Sequence, residues 1–274
     1  MKTSLLSQLA ALGIRPKKSL GQNFLVDPTH RARIVDAADL TVDDTVLEIV
    51  PGPGVLTELI AAAAGRVIAV ELDDRLVPFL RKRFAAQPNV TIIHGDILRS
   101  DPDALAEGRP YKVVANLPYY ITSAAIRHLL EAKSAPEVLV LTVQKEVGER
   151  MVAQPPDMSL LALGVQFYCT GRIVAKVPAG AFYPVPKVDS AVVRLDRRST
   201  PVAEDVEASQ FFAVARAGFS QPRKQLRNSL ASGLQTAPAD IEDWLALAGI
   251  DPKRRAETLS LADWAALARA RTLS

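Results

Sequence analysis

The sequence predicts an α/β fold with a parallel sheet, followed by a small domain made of helices. Apolar runs of strand length alternate with helical patterns from about residue 45 to residue 195, and these runs are apolar on both faces, with 137–143 almost wholly apolar, as in strands of a buried parallel sheet. After residue 198 the strand-like runs stop and helical periodicity remains. We therefore expect one domain over residues 1–198, with an antiparallel strand possible at the sheet edge, and a second over 199–274.

The composition favours a protein of a reducing compartment. Cys169 is the one cysteine among 274 residues, so no intrachain disulfide can form. The three histidines are scattered without metal-ligand spacing, so we expect no metal, and no apolar run approaches the roughly 20 residues of a membrane helix. Residues 4–12 predict a short amphipathic helix, too short for a signal peptide. A soluble cytoplasmic protein is expected, and its net charge of +3 is a weak argument for a polyanionic partner.

The predicted elements follow one another as in a βαβ fold. Asp27-Pro28 supplies an N-cap and an N1 proline for a helix that ends near residue 39. A strand from Thr45 then leads through a Pro/Gly loop into a helix that ends at Gly65. Further strands are predicted over 66–71, 90–94, 111–115, 137–143, 173–177 and 191–195, and further helices over 74–84, 123–132 and 145–152.

The loop Pro51–Gly54 is the first candidate for a ligand site. Glycines let the backbone approach a ligand closely, and the N–H groups that open the following helix attract polar or anionic atoms. This pattern favours a nucleotide-type cofactor, although an ordinary βα turn has the same signature. The spacing Gly52-x-Gly54-x-x-Thr57 lacks the third glycine of the dinucleotide fingerprint, which argues against a dehydrogenase.

Polar residues stand at the ends of three later strands, where ligands of open α/β sheets bind. Glu71 ends the strand after the glycine loop, and a carboxylate there can accept both ribose hydroxyl protons of an adenosine. Asp96 follows the next strand and suits the exocyclic amine of an adenine. Together with Asn116 they predict an adenosyl cofactor without a pyrophosphate.

The tetrapeptide Asn116-Leu117-Pro118-Tyr119 indicates the reaction. The Asn116 side-chain carbonyl and the Leu117 main-chain carbonyl can each accept a hydrogen bond from an exocyclic amino group, which directs the nitrogen lone pair at an electrophilic carbon. Pro118 fixes φ and with it the carbonyl direction. Tyr119 offers a face for base stacking, worth about 1–3 kcal/mol per base. An Asn-capped loop before a proline turn is the simpler alternative.

These motifs resemble the ribosomal RNA adenine dimethyltransferases, in particular the bacterial enzymes that act on 16S rRNA. The resemblance runs collinearly over about residues 15–260. It is carried by Lys18–Leu25 (KSLGQNFL), Leu47–Ile49 with Pro51-Gly52-x-Gly54, Val70-Glu71, Gly95-Asp96, Asn116–Tyr119, Gln144–Val147, Phe182-x-Pro184-x-Pro186-Lys187-Val188-x-Ser190, Phe219–Gln221, Arg223-Lys224 and Leu226–Asn228.

The resemblance implies a Rossmann-like class I methyltransferase sheet with helices on both faces, a small helical C-terminal domain that helps to grip RNA, and S-adenosylmethionine as the methyl donor. It implies an activity that converts two adjacent adenosines in the 3′-terminal hairpin of 16S rRNA to N6,N6-dimethyladenosine. We expect the enzyme to act as a monomer, without a metal or a membrane, on 16S rRNA within an immature 30S subunit.

The matching positions imply roles for individual residues. Asn23 and Leu25 would line the methionine end of the cofactor, Glu71 would hold the ribose and Asp96 the adenine amine, and Asn116 would orient the target amine between Tyr119 and Phe182. The full predicted cofactor set is Asn23, Leu25, Val50, Gly52, Glu71, Asp96, Ile97 and Asn116; the catalytic set is Asn116, Leu117, Pro118, Tyr119 and Phe182; and the RNA-binding set is Lys17, Lys18, Arg223, Lys224 and Arg227.

One departure from the family pattern affects the cofactor loop. Family members usually have E-I-G-P-G here, and this chain has Val50 at the first glycine. A positive φ at this position would cost a valine about 1–2 kcal/mol, whereas a negative φ would make it harmless. Two other functions stay open: the sister activity on 23S rRNA, and a non-catalytic ribosome-assembly factor whose cofactor site is spoiled by Val50.

Overall fold

The computed structural model describes residues 7, 9–10, 13–203 and 205–273. Most of the helix predicted over 4–12 lies outside the described residues. The chain divides into two compact units, the first of Met1–Gly148 with Arg172–Asp196 and the second of Glu149–Gly171 with Arg197–Ser274. The longer segment of the second unit begins at Arg197, close to the predicted boundary after residue 198. Residues 149–171, however, which we placed in the first domain, group with the helical unit.

The strands, numbered in chain order, are β1 (Phe24–Leu25), β2 (Thr45–Ile49), β3 (Arg66–Glu71), β4 (Val90–His94), β5 (Lys112–Asn116), β6 (Val138–Gln144), β7 (Cys169–Val177), β8 (Phe182–Tyr183) and β9 (Ser190–Arg197). The helices are α1 (Pro28–Ala37), α2 (Val55–Ala63), α3 (Leu76–Arg83), α4 (Pro102–Ala106), α5 (Thr122–Leu130), α6 (Lys145–Met151), α7 (Leu160–Gln166), α8 (Ala208–Phe219), α9 (Leu226–Leu234), α10 (Pro238–Leu247) and α11 (Leu261–Leu273).

A seven-stranded sheet with the order β4-β3-β2-β5-β6-β9-β7 forms the centre of the first unit. The pairs β3–β4, β2–β3, β2–β5 and β5–β6 are parallel. β9 runs antiparallel to β6, in agreement with the antiparallel strand that we considered possible from the sequence. The chain fills one side of β2 first and then crosses to the other side with β5. This reversal of strand order is the switch point of a Rossmann-like sheet, where ligands bind outside the carboxyl ends of the strands. The predicted fold class is confirmed.

The central strands are covered on both faces, as their sequences predict. Every residue of β2 is buried, and because neighbouring side chains point to opposite faces, both faces of the sheet must be covered. On one face Val46 and Val114 pack with Ile34 of α1 and Ile60 of α2. Burial of this kind contributes about 25 cal/mol for each Å² of apolar surface removed from water. Because this packing holds the strands in place, it also holds the polar residues at their carboxyl ends.

Two very short strands escaped the sequence prediction. In β1 and β8, Phe24 pairs with Tyr183 and Leu25 with Phe182 in an antiparallel ladder. Two residues are too few for an alternation pattern to be recognised, and their partners lie far apart in the sequence. This ladder joins the segment before α1 to the proline-rich segment after β7.

The second unit is helical around one apolar core. Trp264 of α11, Phe211 of α8 and Leu230 of α9 are fully buried in this core, and the Phe219 and Trp264 rings stack with centroids 5.4 Å apart. Met158 and Phe167 pack into the same core. Their burial explains why residues 149–171 belong to this unit.

Candidate active site

A first cavity, here called the Asn116 cavity, lies at the switch point of the sheet. It is walled by the loop before β1, the loop after β2, the loop after β5 and one residue of β8. Its lining residues are Gly21, Gln22, Asn23, Phe24, Leu25, Val50, Pro51, Gly52, Pro53, Val55, Leu56, Asn116, Leu117, Pro118, Tyr119 and Phe182. All five predicted catalytic residues and five of the predicted cofactor residues therefore lie around one space.

A second cavity, here called the Glu71 cavity, lies at the carboxyl ends of β3 and β4. Its lining residues are Leu20, Gln22, Val50, Val70, Glu71, Leu72, Gly95, Asp96, Ile97, Leu98, Pro118, Tyr120 and Ile121. Gln22, Val50 and Pro118 line both cavities. The two cavities therefore share a wall, and they hold between them every residue of the predicted cofactor set.

The Asn116 amide has a fixed orientation. Its Nδ2 donates to the main-chain oxygen of Asn23 over 3.0 Å. The Asn23 side chain in turn donates to the Gly21 main-chain oxygen over 3.1 Å. With the amide nitrogen held in this way, Asn116 Oδ1 is the atom available as a hydrogen-bond acceptor in the cavity.

Tyr119 and Phe182 supply the aromatic surfaces of the Asn116 cavity. The Tyr119 hydroxyl and Ser190 Oγ share a hydrogen bond of 2.9 Å, which holds the half-buried ring in place. Burial raises the pKa of the Tyr119 phenol, so the group stays protonated at neutral pH. Phe182 is buried in the β1–β8 ladder opposite Leu25.

Glu71 links the cofactor loop to the end of β3. Its Oε2 accepts from the Gly52 N–H over 3.0 Å and its Oε1 from the Asp73 N–H over 2.8 Å. A contact with the Leu72 N–H also favours its ionised form. Burial raises the pKa of Glu71 to about 7, although the N–H groups of Asp73 and Gly52 favour the ionised form.

Glu48, on β2, is a second buried glutamate. It is fully buried, although contact with Thr57 favours its ionised form. Burial, together with the negative charge of Glu71, raises its pKa to about 8. Glu48 is therefore largely protonated at neutral pH, which leaves Glu71 as the buried carboxyl that titrates nearest to neutrality.

Gly52 needs to be a glycine for two reasons. Its φ of 58° lies in the left-handed region, and a Cβ there would stand 3.1 Å from the Phe24 ring. At this position the loop therefore presents only its main chain to the Asn116 cavity.

Comparison with known proteins agrees with this geometry. The family model described as Ribosomal RNA adenine dimethylase matches residues 13–271. The chain belongs to the ribosomal RNA adenine dimethylase family. Proteins named Ribosomal RNA small subunit methyltransferase A are 51% identical over 252 residues in Dehalococcoides mccartyi (92% of this chain, 87% of the relative) and 46% identical over 268 residues in Moorella thermoacetica (94% and 93%).

Two solved structures have a similar fold over most of the chain. The 23S rRNA methyltransferase ErmE superimposes with a TM-score of 0.73 at 30% identity, over 90% of this chain and 99% of ErmE. A dimethyladenosine transferase from Plasmodium falciparum superimposes with a TM-score of 0.74 at 26% identity, over 89% and 95%. As a member of the adenine dimethylase family, the chain is a methyltransferase whose donor is S-adenosylmethionine.

The residues present fit this donor. Glu71 and Asp96 place two carboxyl groups in one cavity, where a ribose diol and an adenine amine need acceptors. The Gly52 main chain, free of a Cβ that would strike Phe24, leaves the neighbouring cavity open for the rest of the molecule. Among the described residues, no three His, Cys, Asp or Glu side chains are grouped as metal ligands would be.

Val50 departs from the family pattern at a strained position. Its φ is 56°, close to the 58° of Gly52, although valine is β-branched. The Val50 N–H donates to the Val70 main-chain oxygen over 2.9 Å, which holds the residue at the end of the β2–β3 ladder. The positive-φ alternative therefore holds, and Val50 carries a cost of about 1–2 kcal/mol.

The five cations predicted to bind RNA are distributed over both units. In the first unit Lys18 is exposed, whereas Lys17 Nζ lies 3.4 Å from an Asp73 carboxylate oxygen and 3.6 Å from an Asp74 oxygen. In the second unit Arg223 and Lys224 are exposed and Arg227 pairs with Glu242.

Sequence reasoning missed several residues of the site. Gln22 lines both cavities and Phe24 lies against Gly52, yet neither was singled out from the segment Gly21–Leu25. Tyr120 lines the Glu71 cavity next to the predicted Tyr119. Gln22 could have been identified as a site residue because it is a polar residue inside a motif that matches the family.

No helix among the described residues has both the length and the apolar character needed to cross a bilayer.

Proposed function

We propose that this chain transfers methyl groups from S-adenosylmethionine to N6 of two adjacent adenosines in the 3′-terminal hairpin of 16S rRNA, within an immature 30S subunit. The observation that carries the proposal is the held amide of Asn116. Its nitrogen is engaged by the Asn23 carbonyl, which leaves its oxygen as the acceptor available to a target amine. The relatives that are 46–51% identical are named as small-subunit methyltransferases.

The residues of the Asn116 cavity would activate the amine without a strong base. S-adenosylmethionine supplies an electrophilic methyl group when it is bound. Asn116 Oδ1 and the Leu117 main-chain carbonyl would accept hydrogen bonds from the N6–H groups and direct the nitrogen lone pair at that methyl group, whose bond to sulfur breaks as S-adenosylhomocysteine leaves. The nitrogen releases its proton after the new bond has formed, when it is strongly acidic.

Tyr119 and Phe182 would hold the target base. A base in a hairpin loop must leave its stack to enter the cavity, and stacking on an aromatic ring returns about 1–3 kcal/mol per base. Both rings line the same cavity as Asn116, and the Ser190 contact restrains Tyr119. This arrangement supports the binding of one adenine base in the Asn116 cavity.

The cofactor would lie across the shared wall of the two cavities. Glu71 would accept from the ribose hydroxyls, and Asp96 beside Ile97 would accept from the adenine amine. Asn23, Leu25 and Gly52 would face the methionine end. Val50 lines both cavities and would lie at the middle of the cofactor.

The test of the target is a methyl-transfer assay on undermethylated 30S subunits, compared with naked 16S rRNA and with 23S rRNA. We expect transfer to the 30S substrate and loss of primer-extension stops at the 16S 3′ hairpin in a deletion strain. The likeness to ErmE makes 23S rRNA the alternative substrate. Transfer to 23S rRNA alone, with unchanged stops in 16S rRNA, contradicts the proposal.

The second unit would contribute a cationic surface for the RNA backbone. The Leu226 N–H donates to the Arg254 main-chain oxygen over 2.7 Å, so the loop with Arg223 and Lys224 lies beside the loop with Lys253 and Arg255. These four side chains are exposed, whereas Arg254 pairs with Asp263 over 3.2 Å. Two clusters that are separate in the sequence thus lie on adjacent loops, which supports a common surface for phosphate binding.

We expect replacement of Arg223 and Lys224 by glutamine to weaken RNA binding and reduce its dependence on salt. Each lost phosphate contact lowers the slope of log K against log salt by about 0.7–0.9. Filter binding over a salt series measures this slope. Arg269→Gln is the control, because Asp205 already neutralises that cation over 2.7 Å. An unchanged slope in the double variant would place the RNA path elsewhere.

We also propose that the enzyme acts as a monomer in the cytoplasm, where small ribosomal subunits are assembled. Light scattering of the purified protein tests the first statement, and fractionation of cells with an antibody against the chain tests the second.

A further inference from the structure

The segment of residues 17–25 walls both cavities. Leu20 lines the Glu71 cavity, Asn23 lines the Asn116 cavity, and Gln22 lines both. The position of this segment therefore affects the cofactor side and the target side together.

Asp73 anchors this segment through a buried hydrogen bond. The Asp73 carboxyl is fully buried, and its Oδ2 accepts from Gln22 Nε2 over 2.9 Å. Gln22 Oε1 in turn accepts from the Lys17 main-chain N–H over 2.7 Å. The Gln22 side chain thus closes the segment on itself and joins it to the loop after β3.

The charge of Asp73 is compensated locally. Arg75 donates from Nε to Oδ1 over 2.9 Å and from Nη2 to Oδ2 over 2.6 Å, and the Lys17 ammonium lies 3.4 Å from Oδ1. Several charge-assisted hydrogen bonds to one buried carboxylate restrain its side chain strongly. Asp73 is therefore a rigid point of attachment.

Hydrogen bonds connect this anchor to both proposed functional groups. The Asp73 N–H donates to Glu71 Oε1 over 2.8 Å, on the cofactor side. Gln22 is followed directly by Asn23, whose carbonyl accepts from Asn116 Nδ2 over 3.0 Å. A continuous path of bonded groups thus runs from Glu71 through Asp73 and Gln22 to Asn116.

We propose that Gln22 and Asp73 are positioning residues for Asn116. By fixing the 17–25 segment, they keep the Asn23 carbonyl on the Asn116 amide nitrogen and so keep the amide oxygen turned to the target amine. Neither side chain touches the reacting atoms in this role. The inference rests on the proposed role of Asn116, and it assigns Lys17 to the anchor rather than to RNA.

Gln22→Glu tests the proposal with a minimal change of shape. The new carboxylate still accepts from Lys17 but has no donor for Asp73 and repels it. We expect kcat at saturating cofactor and RNA to fall by about tenfold or more, because a small misplacement of an orienting group has large effects on rate. In ¹⁵N-labelled protein with S-adenosylhomocysteine, we also expect the Asn116 side-chain amide signals to move toward those of a free amide.

Two further variants separate positioning from folding. Gln22→Glu with Asp73→Asn removes the repulsion between the two carboxylates and supplies a donor to the new one, although the amide nitrogen then also faces Arg75 Nη2; we expect it to recover part of the lost kcat. Glu107→Gln is the matched control, since it removes an arginine–carboxylate pair with Arg66 at the other end of β3. Gln22→Met removes both hydrogen bonds of the Gln22 side chain without adding a charge. If Gln22→Glu does not fold, kcat and the Asn116 amide signals are measured in Gln22→Met instead.

The proposal is overturned if the Asn116 signals stay in place in Gln22→Glu or Gln22→Met, or if kcat stays within about twofold of the wild type. The amide signals are read without RNA, so they report on positioning even if the wild type fails to methylate 16S rRNA. Failure of the substrate assignment and failure of the positioning role are thus distinguishable.

Discussion

The Asn116 cavity and the Glu71 cavity share a wall but differ in the chemistry of their polar groups. Around Asn116 the acceptors are an amide oxygen and main-chain carbonyls, with Tyr119 and Phe182 beside them. Around Glu71 the acceptors are carboxyl groups, and burial brings the pKa of Glu71 to about 7. An amide cannot take a proton near neutral pH, so the amine that we propose is methylated there would meet acceptors that do not titrate. Glu71 lies on the side where we propose that the cofactor binds, so the two cavities should respond differently to mutation and to pH.

The largest expected effect separates the two cavities by mutation. Asn116→Ala removes the oriented acceptor, and we expect kcat to fall by about 10²–10³-fold or more, as for loss of other preorganised groups at a reacting atom. The Kd for S-adenosylhomocysteine, measured by calorimetry, should change by less than about threefold, because the carboxyl groups of the other cavity are untouched.

Asn89→Ala is the matched control for Asn116→Ala. The Asn89 amide nitrogen donates to the main-chain oxygens of Ala61 and Ala64 over 2.9 and 3.0 Å, away from both cavities. We expect this variant to keep its kcat. Turnover of Asn116→Ala within about tenfold of the wild type would remove the amine-orienting role.

A smaller effect separates the cavities by pH. The ribose hydroxyls should bind the ionised form of Glu71, and its pKa in the free protein is about 7. The Kd for S-adenosylhomocysteine should therefore fall by about tenfold as the pH rises from about 6 to about 8. The sign follows because protonated Glu71 must lose its proton before it can accept both hydroxyls. The rate at saturating cofactor should show no titration from Glu71.

Glu71→Gln is expected to flatten this pH dependence, and Glu48→Gln is the control. Glu48 is also buried, but its pKa is about 8 and it does not line either cavity. Calorimetry at a series of pH values measures both variants against the wild type. A slope that persists in Glu71→Gln would assign the titration to another group, including the amino group of the ligand.

The sequence predicted the residues that line these cavities better than the contacts that hold the lining loops in place. Glu71, Asp96 and Asn116 could be placed together because the carboxyl ends of parallel strands meet at one edge. The Gln22–Asp73 bond joins two loops 51 residues apart, and no local pattern encodes such a contact. The same reason hides the two-residue strands β1 and β8. Residues 149–171 were assigned wrongly because an apolar segment such as Leu160–Gln166 does not state which of two cores it joins.

The smallest expected effect concerns Val50, where the two cavities meet. Sequence left the sign of φ open, since the backbone conformation of one loop residue depends on the ladder it closes. With φ at 56°, Val50→Gly removes a left-handed cost of about 1–2 kcal/mol and adds a chain-entropy cost of about 0.5–1 kcal/mol. We expect a slightly higher midpoint of thermal unfolding, and a Kd for S-adenosylhomocysteine lower by a few fold, because the side chain lines both cavities.

Val50→Ala divides this effect into bulk and strain. Alanine removes the two methyl groups but keeps the cost of a Cβ in the left-handed region. A gain in ligand affinity that both variants share would therefore come from the smaller side chain. A gain in stability seen only in Val50→Gly would come from relief of backbone strain. The rate at saturating substrates should be the same in all three proteins, because the Asn116 amide keeps its bond to Asn23. If Val50→Gly binds the ligand no more tightly and unfolds at the same temperature as the wild type, the loop holds its valine without cost, and the shared wall does not limit cofactor binding.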